Sequence, residues 1–244
     1  MKILLTGSEG FIGKNLTQYL KDKHQIIPLD KITGDDLVTC NLDYDVDMVI
    51  HLAGLSGVRQ SLDNPVDYWT NNVVGSYRIF NKFKDKKILY ASSSTAKEPW
   101  RNPYAMSKFY MEQIAPHNAL GMRFTTVYGP GARENMLIPK ILRDDVDYIN
   151  IDHSRDFIHI DDILSAIGFL ITNKVKKLKV VDVGTGISNK LIDIFDHLNI
   201  TIKDKRMGTV YERKDNVAKI GTLSNMGWIP QTNLLDYLKE NYDN

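Results

Sequence analysis

Three serines, Ser92-Ser93-Ser94, are followed ten residues after Ser94 by Tyr104-Ala-Met-Ser-Lys108. On a helix, positions i and i+4 share a face, so the Tyr104 phenol and the Lys108 ammonium can address one point together. A tyrosine titrates ordinarily near pH 10. To act as a base near neutrality it must fall by roughly 3 units, about 4 kcal/mol of preferential phenolate stabilisation. A cation held one turn away supplies such a field. The chemistry implied is general-base removal of a proton, with Tyr104 and Lys108 as the candidate pair beside the serine cluster.

A second group of residues suits an anion. Thr6-Gly7-Ser8-Glu9-Gly10-Phe11-Ile12-Gly13 places a glycine at every third position where an apolar strand gives way to a helical pattern. Gly7 permits the tight turn, Gly10 lets backbone approach a pyrophosphate, and Gly13 allows close helix-to-strand packing. The helix N-terminus at Phe11 and Ile12 offers free N–H groups. Asp30 follows 17 residues after Gly13, near the spacing of about 20 for a carboxylate that accepts ribose hydroxyls. A carboxylate there repels a 2′-phosphate and favours NAD over NADP. Lys31 works the other way, since it could neutralise that phosphate, and a solvated turn is the plainer reading of Asp30. Leu52, Ala53 and Gly54 are small enough on average to let backbone lie against the cofactor. Together with Ser92, Tyr104 and Lys108 they complete the expected cofactor contacts. His51 reads as a packing or hydrogen-bonding histidine.

These residues need a sheet to hold them. Near-continuous apolar runs at Lys2 to Leu5, Gln25 to Leu29, Met48 to Leu52, Lys87 to Ala91, Gly121 to Val127 and Leu178 to Val183 suit strands covered on both faces. Helical patterns lie at Phe11 to Lys21, Pro65 to Phe83, Tyr104 to Ile114 and Asp161 to Thr172. The alternation predicts an α/β fold, a Rossmann-like doubly wound parallel sheet. Residues 33 to 47, rich in Gly, Asp, Asn and Thr, leave no room for a crossover helix, so a loop must make that connection. Further patterns at Leu191 to Leu198 and Leu234 to Tyr242 predict a small C-terminal lobe. The expected division is 1–130 with 155–186 for the NAD-binding domain, and 131–154 with 187–244 for a shortened substrate-binding lobe.

Composition narrows the partners. The 244 residues carry 31 Lys and Arg against 30 Asp and Glu, a net charge of +1, so no global field draws the chain to nucleic acid or an acidic membrane. The one cysteine, Cys40, excludes an internal disulfide and a multi-cysteine metal site, and no metal is expected. No apolar stretch reaches spanning length and no leader pattern opens the sequence, so a cytoplasmic location is expected.

Taken together, these motifs resemble the extended short-chain dehydrogenase/reductases, in their nucleotide-sugar epimerase and dehydratase branch. Arg155-Asp-Phe-Ile-His-Ile-Asp-Asp162, Val183-Gly-Thr-Gly186, Lys205-Arg-Met-Gly208 and Met226-Gly-Trp-Ile-Pro230 are similar to further signatures of that branch. The resemblance implies that Tyr104 takes the proton of a sugar 4-hydroxyl while hydride leaves C4 for NAD, with Lys108 and Ser94 completing the catalytic set. It places diphosphate binding on Arg155 and Arg206, for which a surface charge is the plainer alternative. Family dehydratases carry Asp-Glu after the strand-end Ser or Thr, and family decarboxylases a Glu. Ser94 is followed here by Thr95-Ala96, which leaves a 4-epimerase.

The segments Ala53 to Pro65, with Arg59, and Arg123 to Met136 are most similar to UDP-glucuronate 4-epimerases. That likeness implies that Thr126 and Arg133 hold the sugar carboxylate, with Ser93, Ser94 and Arg59 also facing substrate. Gly131-Ala132 and Glu134-Asn135 depart from the pattern, so neutral UDP-hexoses such as UDP-glucose and UDP-galactose stay open as substrates. Two other readings are a nucleotide-sugar oxidoreductase and a non-catalytic NAD-binding regulator. Relatives pair through two long helices, so a homodimer is expected through Asp67 to Phe83 and Tyr104 to Ile114. Val73, Tyr77, Phe80 and Phe109 there could equally be core.

Overall fold

The structure is a computed structural model that describes residues 1–175 and 178–242. In chain order it runs β1 (Lys2–Thr6), α1 (Phe11–Leu20), β2 (Gln25–Leu29), β3 (Met48–His51), α2 (Val58–Asp63), α3 (Pro65–Tyr68), a π-helical stretch (Trp69–Val74), α4 (Gly75–Lys82), β4 (Lys87–Ser93), α5 (Pro103–Ile114) and β5 (Ala119–Phe124). It continues with β6 (Thr126–Tyr128), α6 (Leu137–Ile141), β7 (Tyr148–Asn150), β8 (Ser154–Arg155), β9 (Phe157–His159), α7 (Ile160–Thr172), β10 (Val180–Val183), β11 (Asn189–Lys190), α8 (Leu191–His197), β12 (Asp204–Arg206), α9 (Gly221–Asn225) and α10 (Leu234–Tyr242).

The main sheet has the strand order β10-β5-β4-β3-β1-β2. β2, β1, β3 and β4 pair in parallel, with Thr6 opposite both Leu29 and His51. The order reverses between β1 and β3, and in open α/β sheets ligands bind outside the carboxyl ends of the strands at such a point. Thr6 and His51 stand at those two ends. The doubly wound Rossmann-like architecture expected from the apolar runs is the observed one.

Two compact units are present, Met1–Arg123 with Ile167–Val181, and Phe124–Ala166 with Asp182–Asn244. Residues 124–130, 155–166 and 182–186, grouped by sequence with the cofactor domain, cluster with the second unit. In the first unit the connection after β2 is a short 3₁₀ turn at Lys31–Thr33 and then irregular chain. Leu37, Leu42 and Val46 from it are buried against Leu4, Val49 and Phe80, filling the place a crossover helix would occupy. Arg78 ties this chain down by donating to the carbonyls of Leu37 and Cys40. The second unit has its own core of Tyr128, Ile141, Phe157, Ile194, Phe195 and Leu238.

Two expectations are corrected. The pattern at Pro65 to Phe83 reads as one helix but contains the π-helical stretch. The apolar run Gly121 to Val127 is two strands: β5 belongs to the main sheet, whereas β6 pairs with β9. The break falls at Thr125, whose N–H still reaches the Val183 carbonyl at 3.2 Å. Among the described residues no helix is long and apolar enough to cross a membrane.

Candidate active site

The glycine turn is shaped by backbone contact. Gly7 sits at φ +72°, and a Cβ there would lie 2.6 Å from the Ala53 nitrogen; a Cβ on Gly13 would lie 2.0 Å from the Gly7 carbonyl oxygen. Neither position accepts a side chain. Gly10 is exposed, and a Cβ there would meet only the Gly7 oxygen at 3.3 Å. As N-cap of α1 it offers no side-chain acceptor. The first-turn N–H groups of Phe11, Ile12 and Gly13 thus form a cradle with the polarity and openness that a pyrophosphate needs.

Asp30 closes one flank, its Oδ2 accepting from the Glu9 N–H at 3.0 Å and its Oδ1 from the Ile32 N–H at 2.9 Å. Each oxygen retains acceptor capacity for a ribose hydroxyl. The Lys31 ammonium lies 2.9 Å from Asp36, so the cation that could have met a 2′-phosphate is already paired. Of the β3 end, Leu52 and Ala53 are half-buried and Gly54 is exposed. A Cβ on Gly54 would approach the Asn72 Oδ1 to 2.8 Å and the Lys108 Nζ to 3.4 Å. Both polar groups therefore border this glycine.

The serine cluster ends β4 and turns into a 3₁₀ helix at Ser94–Lys97. Ser92 donates to Glu112 at 2.5 Å, so its hydroxyl proton is engaged within the unit. Ser93 Oγ accepts from the Thr95 N–H at 3.2 Å and the Thr95 hydroxyl at 2.9 Å. Ser94 is buried. Asn102 caps α5 by accepting from the Ala105 N–H at 2.8 Å, and Pro103 opens the helix. Tyr104 thus occupies the first turn, half-buried, its ring edge-to-face with Tyr68 at 6.0 Å. Lys108 is 4% exposed and donates to the Ala91 carbonyl at 2.9 Å.

Burial lowers the Lys108 pKa to about 8, and the Glu112 carboxylate one turn further along pushes it back up. Glu112 is itself held by Arg123, with Nε at 2.8 Å and Nη2 at 2.5 Å. An unfolded lysine titrates near 10.5. Between about pH 8 and 10.5 the unfolded chain therefore holds a proton that the folded chain has lost, and the stability contribution of this group rises with pH through that window. Below it the buried charge is a constant penalty. Lys108→Met should make the cofactor-free protein more stable at pH 7, on the order of 1–3 kcal/mol. It should also remove the rise between pH 8 and 10, as read by urea unfolding of both proteins. A variant less stable than the native protein at pH 7 would contradict the assigned burial penalty.

The second unit is built around Asp156, which is fully buried. Its Oδ1 accepts from the Thr185 N–H at 2.9 Å and the Thr185 hydroxyl at 2.7 Å; its Oδ2 accepts from the Gly186 N–H at 2.9 Å and the Ala218 N–H at 3.0 Å. A Cβ on Gly184 would lie 2.7 Å from that Oδ2. The Arg155-Asp-Phe and Val183-Gly-Thr-Gly segments are therefore two halves of one hydrogen-bonded joint. The joint extends to Thr126, because the Asp156 N–H donates to Asn216 Oδ1 at 2.7 Å and Asn216 Nδ2 donates to Thr126 Oγ1 at 3.0 Å.

Arg133 is exposed after the Gly129 turn, and Arg59 is exposed on α2. Arg155 is turned inward: Nη1 donates to the Ser154 carbonyl at 2.7 Å and the Lys214 carbonyl at 3.2 Å, and Nη2 lies 3.0 Å from His153 Nδ1. Burial works against its charge, and Glu212 opposes that effect. Arg206 is stacked over the Tyr148 ring at 3.9 Å and donates through Nε to Asp204 at 2.9 Å.

Asn72, Glu112 and Asp156 are working groups to which the motifs assign no role. The signal for Glu112 was present, since it lies at i+4 from Lys108, on the same face.

The model of the NAD dependent epimerase/dehydratase family matches residues 3–184. A UDP-glucuronate 4-epimerase of Thermodesulfobacterium geofontis is 29% identical over 80% of this chain and 71% of its own length. A UDP-glucose 4-epimerase of Yersinia enterocolitica is 25% identical over 98% of this chain and 96% of its own. Among solved structures, a UDP-glucuronic acid 4-epimerase from Bacillus cereus, in complex with UDP-glucuronic acid and NAD, superposes with a TM-score of 0.84 at 24% identity, covering 100% of this chain and 98% of that one.

Proposed function

The chain belongs to the NAD-dependent epimerase/dehydratase family, and on that basis we propose that it is a nucleotide-sugar 4-epimerase interconverting UDP-glucuronate and UDP-galacturonate. Bound NAD supplies a reversible hydride acceptor. Tyr104, as phenolate, removes the proton of the sugar 4-hydroxyl and later returns it, and the Ser94 hydroxyl donates to the same oxygen. The Lys108 charge favours the phenolate, in a setting where burial strengthens every electrostatic contact.

The observation that carries the choice of reaction is the turn after Ser94. Thr95 donates its hydroxyl to Ser93, Ala96 is buried, and Glu98, the first carboxylate in sequence, is paired with Arg101. Thr95 and Ala96 stand where family dehydratases and decarboxylases carry their acid or base, and this supports the reading in which the 4-keto sugar turns and hydride returns to its other face.

Recognition of the uronate is assigned to Thr126 and Arg133. A planar guanidinium and a hydroxyl donor suit a carboxylate, since charge-assisted hydrogen bonds fix its orientation. Arg155 and Arg206 are the proposed diphosphate ligands; Arg155 must then exchange an internal acceptor for phosphate. Neutral UDP-hexoses are the second reading, favoured by the near end-to-end match to a UDP-glucose 4-epimerase. Arg133→Leu separates the two. It should lower kcat/KM for UDP-glucuronate by about 30- to 100-fold and leave UDP-glucose turnover within about threefold. Equal losses on both sugars would remove the carboxylate assignment.

We also propose that the chain is cytoplasmic and pairs as a homodimer. Val73 and Phe80 are core, but Trp69, Tyr77 and Tyr110 are exposed on the helices expected to pair. Trp69 and Tyr110 stack edge-to-face at 5.0 Å.

A further inference from the structure

A chain of buried polar contacts lies behind the candidate catalytic helix, and the chemistry above makes no use of it. It centres on the π-helical stretch Trp69–Val74. A π-turn takes up one extra residue at the expense of regular backbone hydrogen bonding, and such turns occur frequently at functional sites. Here the carbonyl of Asn72 accepts the hydroxyl proton of Ser76. With that proton committed, Ser76 Oγ accepts from His51 Nε2 at 2.8 Å. His51 Nδ1 is then unprotonated and accepts from the Thr6 hydroxyl at 2.7 Å, and Thr6 Oγ1 accepts from the Ala53 N–H at 3.3 Å.

The directions are thus fixed from Ala53 through to Asn72, and they require one neutral tautomer of His51. Burial agrees, holding its pKa down to about 3. Thr6, His51, Asn72 and Ser76 are each 0% exposed. No water reaches these groups, so a break strands a donor or an acceptor.

The side chain of Asn72 faces the catalytic helix. Its Nδ2 donates to Ser107 Oγ at 2.9 Å and to the Leu55 carbonyl at 3.0 Å, and its Oδ1 accepts from the Leu55 N–H at 2.7 Å. Ser107 in turn donates to the Tyr104 carbonyl at 2.8 Å. One end of the chain is therefore at the carboxyl ends of β1 and β3, beside the glycine turn. The other end is on the backbone of the residue that carries the phenol.

We propose that His51 is a positioning residue: through Ser76 it locks the π-turn, so that Asn72 holds Tyr104 and Lys108 in register with the strand ends that flank the cofactor cradle. Both ring nitrogens of His51 are bonded, whereas the buried His153 and His159 each leave Nε2 without a hydrogen-bond partner. The proposal rests on reading Tyr104 and Lys108 as the proton-transfer pair, so its test includes a readout that needs no activity.

His51→Gln keeps an amide nitrogen near the Nε2 position and thus the bond to Ser76. His51→Asn can keep only an acceptor near Nδ1, for the Thr6 hydroxyl, and loses the bond to Ser76. His51→Gln should retain turnover within about threefold. His51→Asn and Ser76→Ala should each lose on the order of 10²-fold in kcat, the scale of a roughly 1 Å misplacement, with KM and bound NAD near native. Ser76→Thr should restore turnover, and the double variant His51→Asn/Ser76→Ala should be no worse than either single one. Amide exchange of residues 69–76 and 103–109 should quicken in His51→Asn and Ser76→Ala but not in His51→Gln. Equal kcat losses in the Asn and Gln variants, or losses confined to thermal stability, would overturn the proposal. If the native protein converts no nucleotide sugar yet exchange follows this pattern, the function assigned above fails and the positioning stands. If the native protein is active and His51→Asn matches it in both readouts, the positioning fails. Should His51→Asn not fold, the Ser76→Ala and Ser76→Thr pair decides the question.

Discussion

Tyr104→Phe is expected to lower turnover by about 10³-fold, within the range for losing a positioned acid–base group, while NAD stays bound. The expectation separates two roles of one side chain. The ring is half-buried and packs edge-to-face on Tyr68, whose own hydroxyl donates to the Ser56 carbonyl at 2.8 Å. Phenylalanine keeps that packing, so the midpoint of thermal unfolding should move little. Only the phenol oxygen is lost, and with it the proposed base. Substrate KM should hold, because the missing interaction is one made with the reacting proton and not with the nucleotide. Rapid-quench turnover, with NAD content measured on the same samples, checks the outcome. Retention of about a tenth or more of native turnover would take the base away from Tyr104.

The second large effect is on stability. Asp156→Ala should destabilise the protein by about 4 kcal/mol, because hydrogen bonds to a charged group contribute about 1.5–3 kcal/mol each and are not fully additive. Four donors from Thr185, Gly186 and Ala218 would lose their acceptor in a place that water does not reach. For a chain of this size that corresponds to a fall of roughly 8–16 °C in Tm. Asp156→Asn should lose less, since one amide oxygen still accepts. Differential scanning calorimetry of the three proteins gives the ranking, and an alanine variant within about 1 kcal/mol of native would show the joint to be unimportant.

Most of the first unit was legible because its strands are buried on both faces, and apolar runs mark such strands directly. The π-helical stretch was not. One inserted residue barely disturbs a helical pattern, and the contact of Ser76 with His51 comes from another element. Residues 33 to 47 were readable as a loop, but the burial of Leu37, Leu42 and Val46 follows from tertiary contact alone. Strands of two or three residues, such as Tyr148–Asn150 and Ser154–Arg155, are too short for a period-2 pattern.

The site divides in the same way. Gly7 and Gly13 were predictable from spacing because backbone geometry leaves no alternative to glycine there. The reach of a long side chain was not: Arg155, expected to face a diphosphate, turns onto the Ser154 and Lys214 carbonyls. Lys31 is likewise drawn to Asp36. Local spacing determines where a backbone can go, whereas the direction of an arginine or lysine depends on acceptors brought near by the rest of the fold.

The central claim is that hydride leaves C4 and returns to C4 within one turnover. UDP-glucuronate carrying deuterium at C4, incubated in ordinary water and followed by mass spectrometry and NMR, tests it directly. The predicted result is UDP-galacturonate that keeps its deuterium at C4, with no stoichiometric NADH released. Loss of the label to solvent would contradict the account, and accumulation of deuterated reduced cofactor with a 4-keto product would place the chain among the oxidoreductases.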